Sequence, residues 1–147
     1  MARGMATAHL SAWRAFLETH TRVTTRLAAE LERETGLPLT WYDVLVQVQE
    51  AGGRPRMQEL ARRVLLSKSG VTRLVDRMAA AGLVAREPCP DDRRGAFVTL
   101  TAAGRARLRG AAPVHGRGIA EHFATALTER EAAALEAAMG KVLAGLE

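Results

Sequence analysis

Cysteine is all but missing from this chain of 147 residues: Cys89 stands alone. An intramolecular disulfide is therefore excluded, in keeping with a reducing compartment. Lysine is nearly as scarce. Lys68 and Lys141 are the two lysines, and every other basic side chain apart from histidine is arginine, whose planar fork suits bidentate contacts to phosphate and guanine. No apolar run approaches membrane-spanning length, and the N-terminus lacks the apolar stretch of a secretory leader, so no membrane association and a cytoplasmic location are expected. There is no phosphate-binding glycine loop, no GxSxG, no HExxH and no nucleophile with an arguable base beside it, so no enzymatic activity is expected. His9, His20, His115 and His122 are not arranged with other ligands at a compact metal-binding spacing, so neither a metal nor a cofactor is expected. Internal repeats and low-complexity linkers are absent as well.

What is present is one domain's worth of globular sequence. The hydrophobic content of 48% excludes wholesale disorder. The net charge of +5 is concentrated. Between Gly52 and Thr101 lie ten basic residues, Arg54, Arg56, Arg62, Arg63, Lys68, Arg73, Arg77, Arg86, Arg93 and Arg94, against five acidic ones. That excess equals the whole net charge, and the remainder of the chain balances. A polyanion would be steered to the middle of the sequence.

Apolar periodicity predicts a long first helix over 6–34, with Leu10, Trp13, Leu17, His20, Thr24, Leu27 and Leu31 at alternating three- and four-residue steps. Thr40 is the expected cap of a second helix from Trp41 to about Ala51, ended by Gly52-Gly53. A short helix opens at Pro55-Arg56. Leu65 and Leu66 turn the chain, and Ser67 caps a helix that stops at Gly82. On that helix Val71, Leu74, Val75 and Met78 form an inward stripe, which leaves Ser69, Thr72, Arg73, Asp76 and Arg77 outward. Two helices joined by a tight turn, the second polar on its outer face, make a helix-turn-helix. A hairpin is expected next, with Val84 and Arg86 leading in, Phe97, Val98 and Leu100 leading out, and Asp91-Asp92-Arg93-Arg94-Gly95 at its tip. Thr101 caps a helix that Pro113, Gly116 and Gly118 are expected to kink or break, with helical pattern resuming from Ile119 to Leu127. Thr128-Glu129-Arg130-Glu131 is a capping box before a last apolar-striped helix.

A polar-fronted helix followed by a basic hairpin is the arrangement of a winged helix-turn-helix, in which the helix enters the major groove of double-stranded DNA and the hairpin reaches the backbone or minor groove. Residues 37–104 resemble the DNA-binding domain of the MarR family of regulators. That family's wing pattern, Asp, any, Arg, three of any kind, an aliphatic, any, Leu, Thr, is met by Asp92, Arg94, Val98, Leu100 and Thr101, and residues 67–78 are similar to its recognition helix. The resemblance implies a mainly α fold: a winged helix-turn-helix with a two-stranded wing, embedded in a helical dimerisation domain formed by 6–34 and 105–147, the whole of 1–147 being one MarR-like domain. It also implies that Arg94 enters the minor groove and that Asp92 holds the wing's basic side chains. Gly70 departs from the threonine or similar residue often found at its position.

The candidate DNA-binding residues are thus Ser67, Lys68, Ser69, Gly70, Thr72, Arg73, Arg77, Asp92, Arg93 and Arg94. Thr72 and Arg73 are assigned to base edges, Lys68 and Arg77 to phosphate or support. The bland readings are an exposed polar helix face and a solvated turn whose ion pairs contribute little. The terminal helices carry more apolar surface than a winged helix can cover, so a homodimer reading an inverted repeat is expected. Cys89, placed at the base of the wing, is either a redox sensor or an incidental residue. Trp13, His20 and Trp41 either line a cavity for a small aromatic or phenolic effector, which the resemblance implies, or pack the core and dimer. The expected function is a sequence-specific transcriptional regulator, a repressor relieved by ligand. An architectural DNA-binding protein and a winged-helix protein-interaction module are the alternatives, and the basic cluster argues against the second.

Overall fold

The computed structural model describes residues 4–64 and 68–147, without the side chains of Lys68, Asp92, Arg93 and Arg94. The described elements are helices α1 (Thr7–Thr35), α2 (Leu39–Glu50), α3 (Met57–Arg63) and α4 (Lys68–Ala80), a hairpin of β1 (Val84–Cys89) and β2 (Asp92–Leu100), α5 (Ala102–His122), a short 3-10 turn (Ala124–Ala126) and α6 (Glu129–Ala144). The chain divides into two units, one of Leu31–Val114 and one of Met1–Glu30 with His115–Glu147. A mainly helical fold with a two-stranded antiparallel wing is what the sequence predicts.

The Leu31–Val114 unit is built around one apolar core. Val44, Leu45 and Val48 from α2, Leu60 from α3, Val71, Val75 and Met78 from α4 and Val98 from β2 have no exposed surface. Each such side chain contributes about 1.5–3 kcal/mol relative to an exposed one. Their spacing explains the helices: Val71, Leu74, Val75 and Met78 recur every three or four residues, so one face of α4 can be buried whole. Tyr42 joins the core, where burial first, then Glu50 and Asp43, raise its phenol pKa above the ordinary value.

Glycines end two helices where the sequence predicts a stop. At Gly82 (φ +78°) the Leu83 amide donates to the Met78 carbonyl and the Gly82 amide to Ala79, a Schellman closure that a side chain at positive φ would strain. Gly52 and Gly53 close α2 in the same way onto Gln49 and Val48. The expected Leu65–Leu66 turn and Ser67 cap lie outside the described residues.

Three expectations are corrected. Helix α2 starts at Leu39, with Pro38 as its N-cap and no side-chain cap bond. Proline's restricted φ, −60° here, already sets the chain up for entry, which leaves Thr40 within the first turn. Helix α5 runs through Pro113 without the expected break, and a 3-10 turn follows it in place of renewed α-helix. Pro113 and Arg109 are both exposed, so the Arg109 carbonyl that loses its amide partner can be hydrated. Packing holds the helix to either side: Ala111 is wholly buried, and a Cβ at Gly118 would lie 2.5 Å from Leu27 Cδ2. Finally, the wing's turn is Pro90-Asp91. Pairing passes from Pro88–Ala96 directly to Cys89–Asp92, so Arg93, Arg94 and Gly95 form an irregular, outbulged part of β2 instead of the tip, and Cys89 sits at the tip end of β1 rather than at the wing's base.

In the terminal unit, Thr128 caps α6 in a complete capping box with Glu131. None of the α6 side chains is buried. Leu10, Trp13, Phe16 and Leu17 on α1 are exposed as well.

Candidate nucleic-acid interface

Helix α4 turns Ser69, Arg73, Asp76 and Arg77 to solvent, with Gly70 and Thr72 half-buried at the margin of the same face. Residues at these three- and four-residue steps share one side of a helix, while the opposite side is anchored by Val71, Val75 and Met78 in the core. The outward face is therefore held by packing and is free of apolar bulk. Among the described residues, Arg73 and Arg77 form no ion pair, whereas Asp76 is paired with Arg86 of β1. That pairing offsets the one negative charge on the face and ties the helix to the wing.

The wing root is fastened by backbone and cap. The Thr101 amide donates to the Leu83 carbonyl (3.1 Å), and the Thr101 hydroxyl donates to the Gly82 carbonyl (2.6 Å) while accepting from the Gly104 amide (3.0 Å). Gly104 approaches so closely that a Cβ there would sit 2.0 Å from the Leu83 carbonyl oxygen. The end of α4, the start of β1 and the start of α5 thus meet at one point.

A third segment lies along β2. Arg56 bridges Phe97, and the Val98 amide donates to the Pro55 carbonyl at 3.0 Å. The Arg54 guanidinium stands 4.0 Å above the Phe97 ring and that of Arg56 5.5 Å from it, both within cation–π range. Arg54 Nε also donates to Glu87 Oε2 at 2.8 Å. These ion pairs are about half exposed and stabilise the fold by at most ~1 kcal/mol each. Their effect is to fix where the wing's charges stand.

A profile of the MarR family matches residues 35–95, from just before α2 to within β2 of the wing. The multiple antibiotic resistance protein MarR of Escherichia coli (strain K12) is 34% identical over 85 residues, 58% of this chain and 59% of the E. coli protein, so the match spans less than two thirds of that relative. Solved structures extend the likeness to both ends. AbsC, a MarR family transcriptional regulator from Streptomyces coelicolor, is similar with a TM-score of 0.89 and 34% identity over 99% of this chain and 98% of that one. Sco3205, a regulator of the same family from S. coelicolor solved in complex with DNA, has a TM-score of 0.90 and 33% identity over 99% and 92%. The chain belongs to the MarR family. Its relatives here are regulators of transcription and not enzymes.

In this MarR-family chain the candidate residues divide by what the structure describes. Ser69, Gly70, Thr72, Arg73 and Arg77 lie together on or beside the outer face of α4. Lys68 opens that helix, and Asp92, Arg93 and Arg94 lie in β2; the side chains of these four, and Ser67 entirely, fall outside the described residues. Sequence reasoning missed Arg86, Arg54, Arg56 and Gly104. Arg54, Arg56 and Arg86 were visible as charge alone, because their partners lie 10 to 43 residues away and only the hairpin register brings them near. Gly104 carried no local signal at all.

The other candidates stand apart. Cys89 is 5% exposed, and a thiol so enclosed lacks the access that redox sensing requires. Among the described residues no group of three metal-ligating side chains exists. His122 Nε2 is bound to Glu30 Oε1. Trp13 stacks on Phe16 and Phe16 on His20 along exposed α1, and Trp41 is half-buried against the core of the Leu31–Val114 unit. No described helix is long and apolar enough to cross a membrane.

Proposed function

We propose that the protein is a sequence-specific, double-stranded-DNA-binding repressor that reads an inverted-repeat operator as a homodimer in the cytoplasm and is relieved by a small ligand. The observation that carries the DNA reading is the outward face of α4. It is polar and cationic, stands on a fully buried underside, and is tied to the wing through Asp76 and Arg86. In this reading residues 37–104 are the DNA-binding portion, and 6–34 with 105–147 are the dimerisation portion. Thr72 and Arg73 face base edges, with Ser67, Ser69 and Gly70 letting the helix approach. Lys68 and Arg77 hold phosphate, Arg93 and Arg94 reach the backbone or minor groove, and Asp92 positions them. Dimerisation is supported by the exposed apolar side chains of the terminal unit. Relief by a small aromatic or phenolic effector rests on family membership.

Selection of bound sequences from random DNA, followed by titration at stated salt, tests this. Arg73→Ala should cost about 1–3 kcal/mol on the selected operator and relax one position per half-site. Arg94→Ala should weaken binding to most sequences and reduce the salt slope by about one for each lost phosphate contact on each bound chain. Equal affinity for selected and random DNA would leave an architectural protein in place of a regulator.

A further inference from the structure

The Leu31–Val114 unit contains a groove of about 550 Å³ that the DNA reading does not use. Gln49 at the end of α2, Arg54, Thr99 and Leu100 at the end of β2, and Arg105 and Arg109 on the first turns of α5 line it. Its volume lies in the range of small-molecule sites. Three guanidinium groups and no carboxylate border it. Arg105 and Arg109 are four residues apart and so share a helix face. The Arg105 guanidinium is oriented by the Leu100 carbonyl at 2.9 Å, which leaves further N–H donors for a second acceptor. Arg109 forms no ion pair among the described residues. The Gly52 and Gly53 amides are already taken by the carbonyls of α2, so recognition falls to the side chains. Like charges gathered around one concavity repel, and a bound anion relieves them. Leu100 supplies an apolar wall and Thr99 a hydroxyl.

We propose that this groove binds a small anion with a carboxylate or phosphate head and an apolar body, and that its occupancy loosens the wing. The coupling runs through Arg54, which borders the groove, donates to Glu87 of β1 and covers Phe97 of β2. An anion in the groove competes with Glu87 for the same charge-assisted hydrogen bonds. Thr99, on the groove wall, pairs with Ala85 in the hairpin, so the ligand acts at the root of the wing. This effect on DNA rests on the repressor reading above.

The test uses the full chain with naphthalene-2-carboxylate as probe and its neutral carboxamide as control, followed by amide NMR. The carboxylate should shift the amides of Gly52, Gly53 and Thr99 saturably, and the carboxamide should not. Arg109→Ala and, separately, Arg105→Gln should weaken the probe by roughly tenfold, the loss of one charge-assisted hydrogen bond. The probe should lower operator affinity by roughly fivefold, whereas Arg109→Ala should leave operator affinity without probe unchanged. Equal binding of the carboxamide, binding unaffected by both variants, or saturation with no change in operator affinity would overturn the proposal. So would loss of probe-free operator affinity in Arg109→Ala, which would make the groove part of the DNA interface. Operator binding by the unaltered protein without probe reports on the repressor reading separately. If that binding is present and the probe does not bind, the groove alone is refuted.

Discussion

The two units of this chain use apolar side chains in opposite ways. In Leu31–Val114, Val44, Leu45, Val48, Leu60 and Val98 are sealed within the chain's own core. In the terminal unit α6 buries nothing, and Leu143 and Leu146 are 63% and 77% exposed. All the large exposed hydrophobics among the described residues, from Met5 to Leu146, lie in that terminal unit. The first region has enough internal surface to pack itself. The second has amphipathic helices with apolar stripes left bare, the pattern expected of a surface completed by a second copy. In the proposed reading, the DNA-facing element stands on a self-sufficient scaffold and pairing falls to the termini.

The strongest way to break that contrast is to charge the bare stripe. Val142→Asp with Leu143→Asp alters no side chain buried in the chain, yet it should abolish association, seen in light scattering as a halved mass or as loss of soluble protein. An unchanged dimer would place the interface elsewhere. A truncation after Gly110 is a poorer test, because it removes Ala111, which is wholly buried.

Next in size is a change inside the self-packed region. Gly104→Ala drives a methyl group into the Leu83 backbone, which cannot swing away as a side chain would, so urea unfolding should show a loss of about 3 kcal/mol. Gly110→Ala, on the same helix with open space at its Cβ position, should gain up to about 1 kcal/mol from helix propensity. Similar effects of the two would mean that the α5 start is not pinned against the wing root. Thr101→Ala removes the α5 cap and the bond to Gly82 and should cost about 1 kcal/mol in the same assay.

The smallest effect sharpens the terminal side. Hydrogen bonds from the Thr128 backbone and then its side chain hold the Glu131 carboxyl below the ordinary glutamate range. A depressed folded pKa means that this stabilisation is present above the unfolded value and is lost as pH falls through the folded one. Far-UV circular dichroism should therefore show Glu131→Gln with less α6 helix than the parent at neutral pH, the difference closing in acid. A pH-independent difference would remove the carboxylate from the cap.

Much of this was legible before any fold was known. The burial of Val71, Leu74, Val75 and Met78, the closures at Gly52 and Gly82, the caps at Thr101 and Thr128 and the order of helix-turn-helix and wing all follow from residues within a turn or two of one another. The α4 members of the candidate DNA face were legible for the same reason, since a helix sets their direction once its buried side is known. The break expected at Pro113 does not occur because Ala111 and Gly118 are packed on either side of an exposed Pro113, so the helix continues through it. The wing's tip was misplaced because its irregular pairing, Cys89 to Asp92, belongs to two strands rather than to one.

By itself, then, the sequence determined the helices, their buried faces, their caps and the concentration of positive charge in the middle of the chain. The tertiary structure alone decided which charges remain available and where they stand. Asp76 meets Arg86, Arg54 meets Glu87 and Phe97, and Gly104 meets Leu83. The division has a physical cause. Periodicity and capping act over one or two turns of backbone, whereas these pairings join residues 10 to 43 positions apart, whose proximity exists only after the hairpin has set its register and the core has closed beneath it.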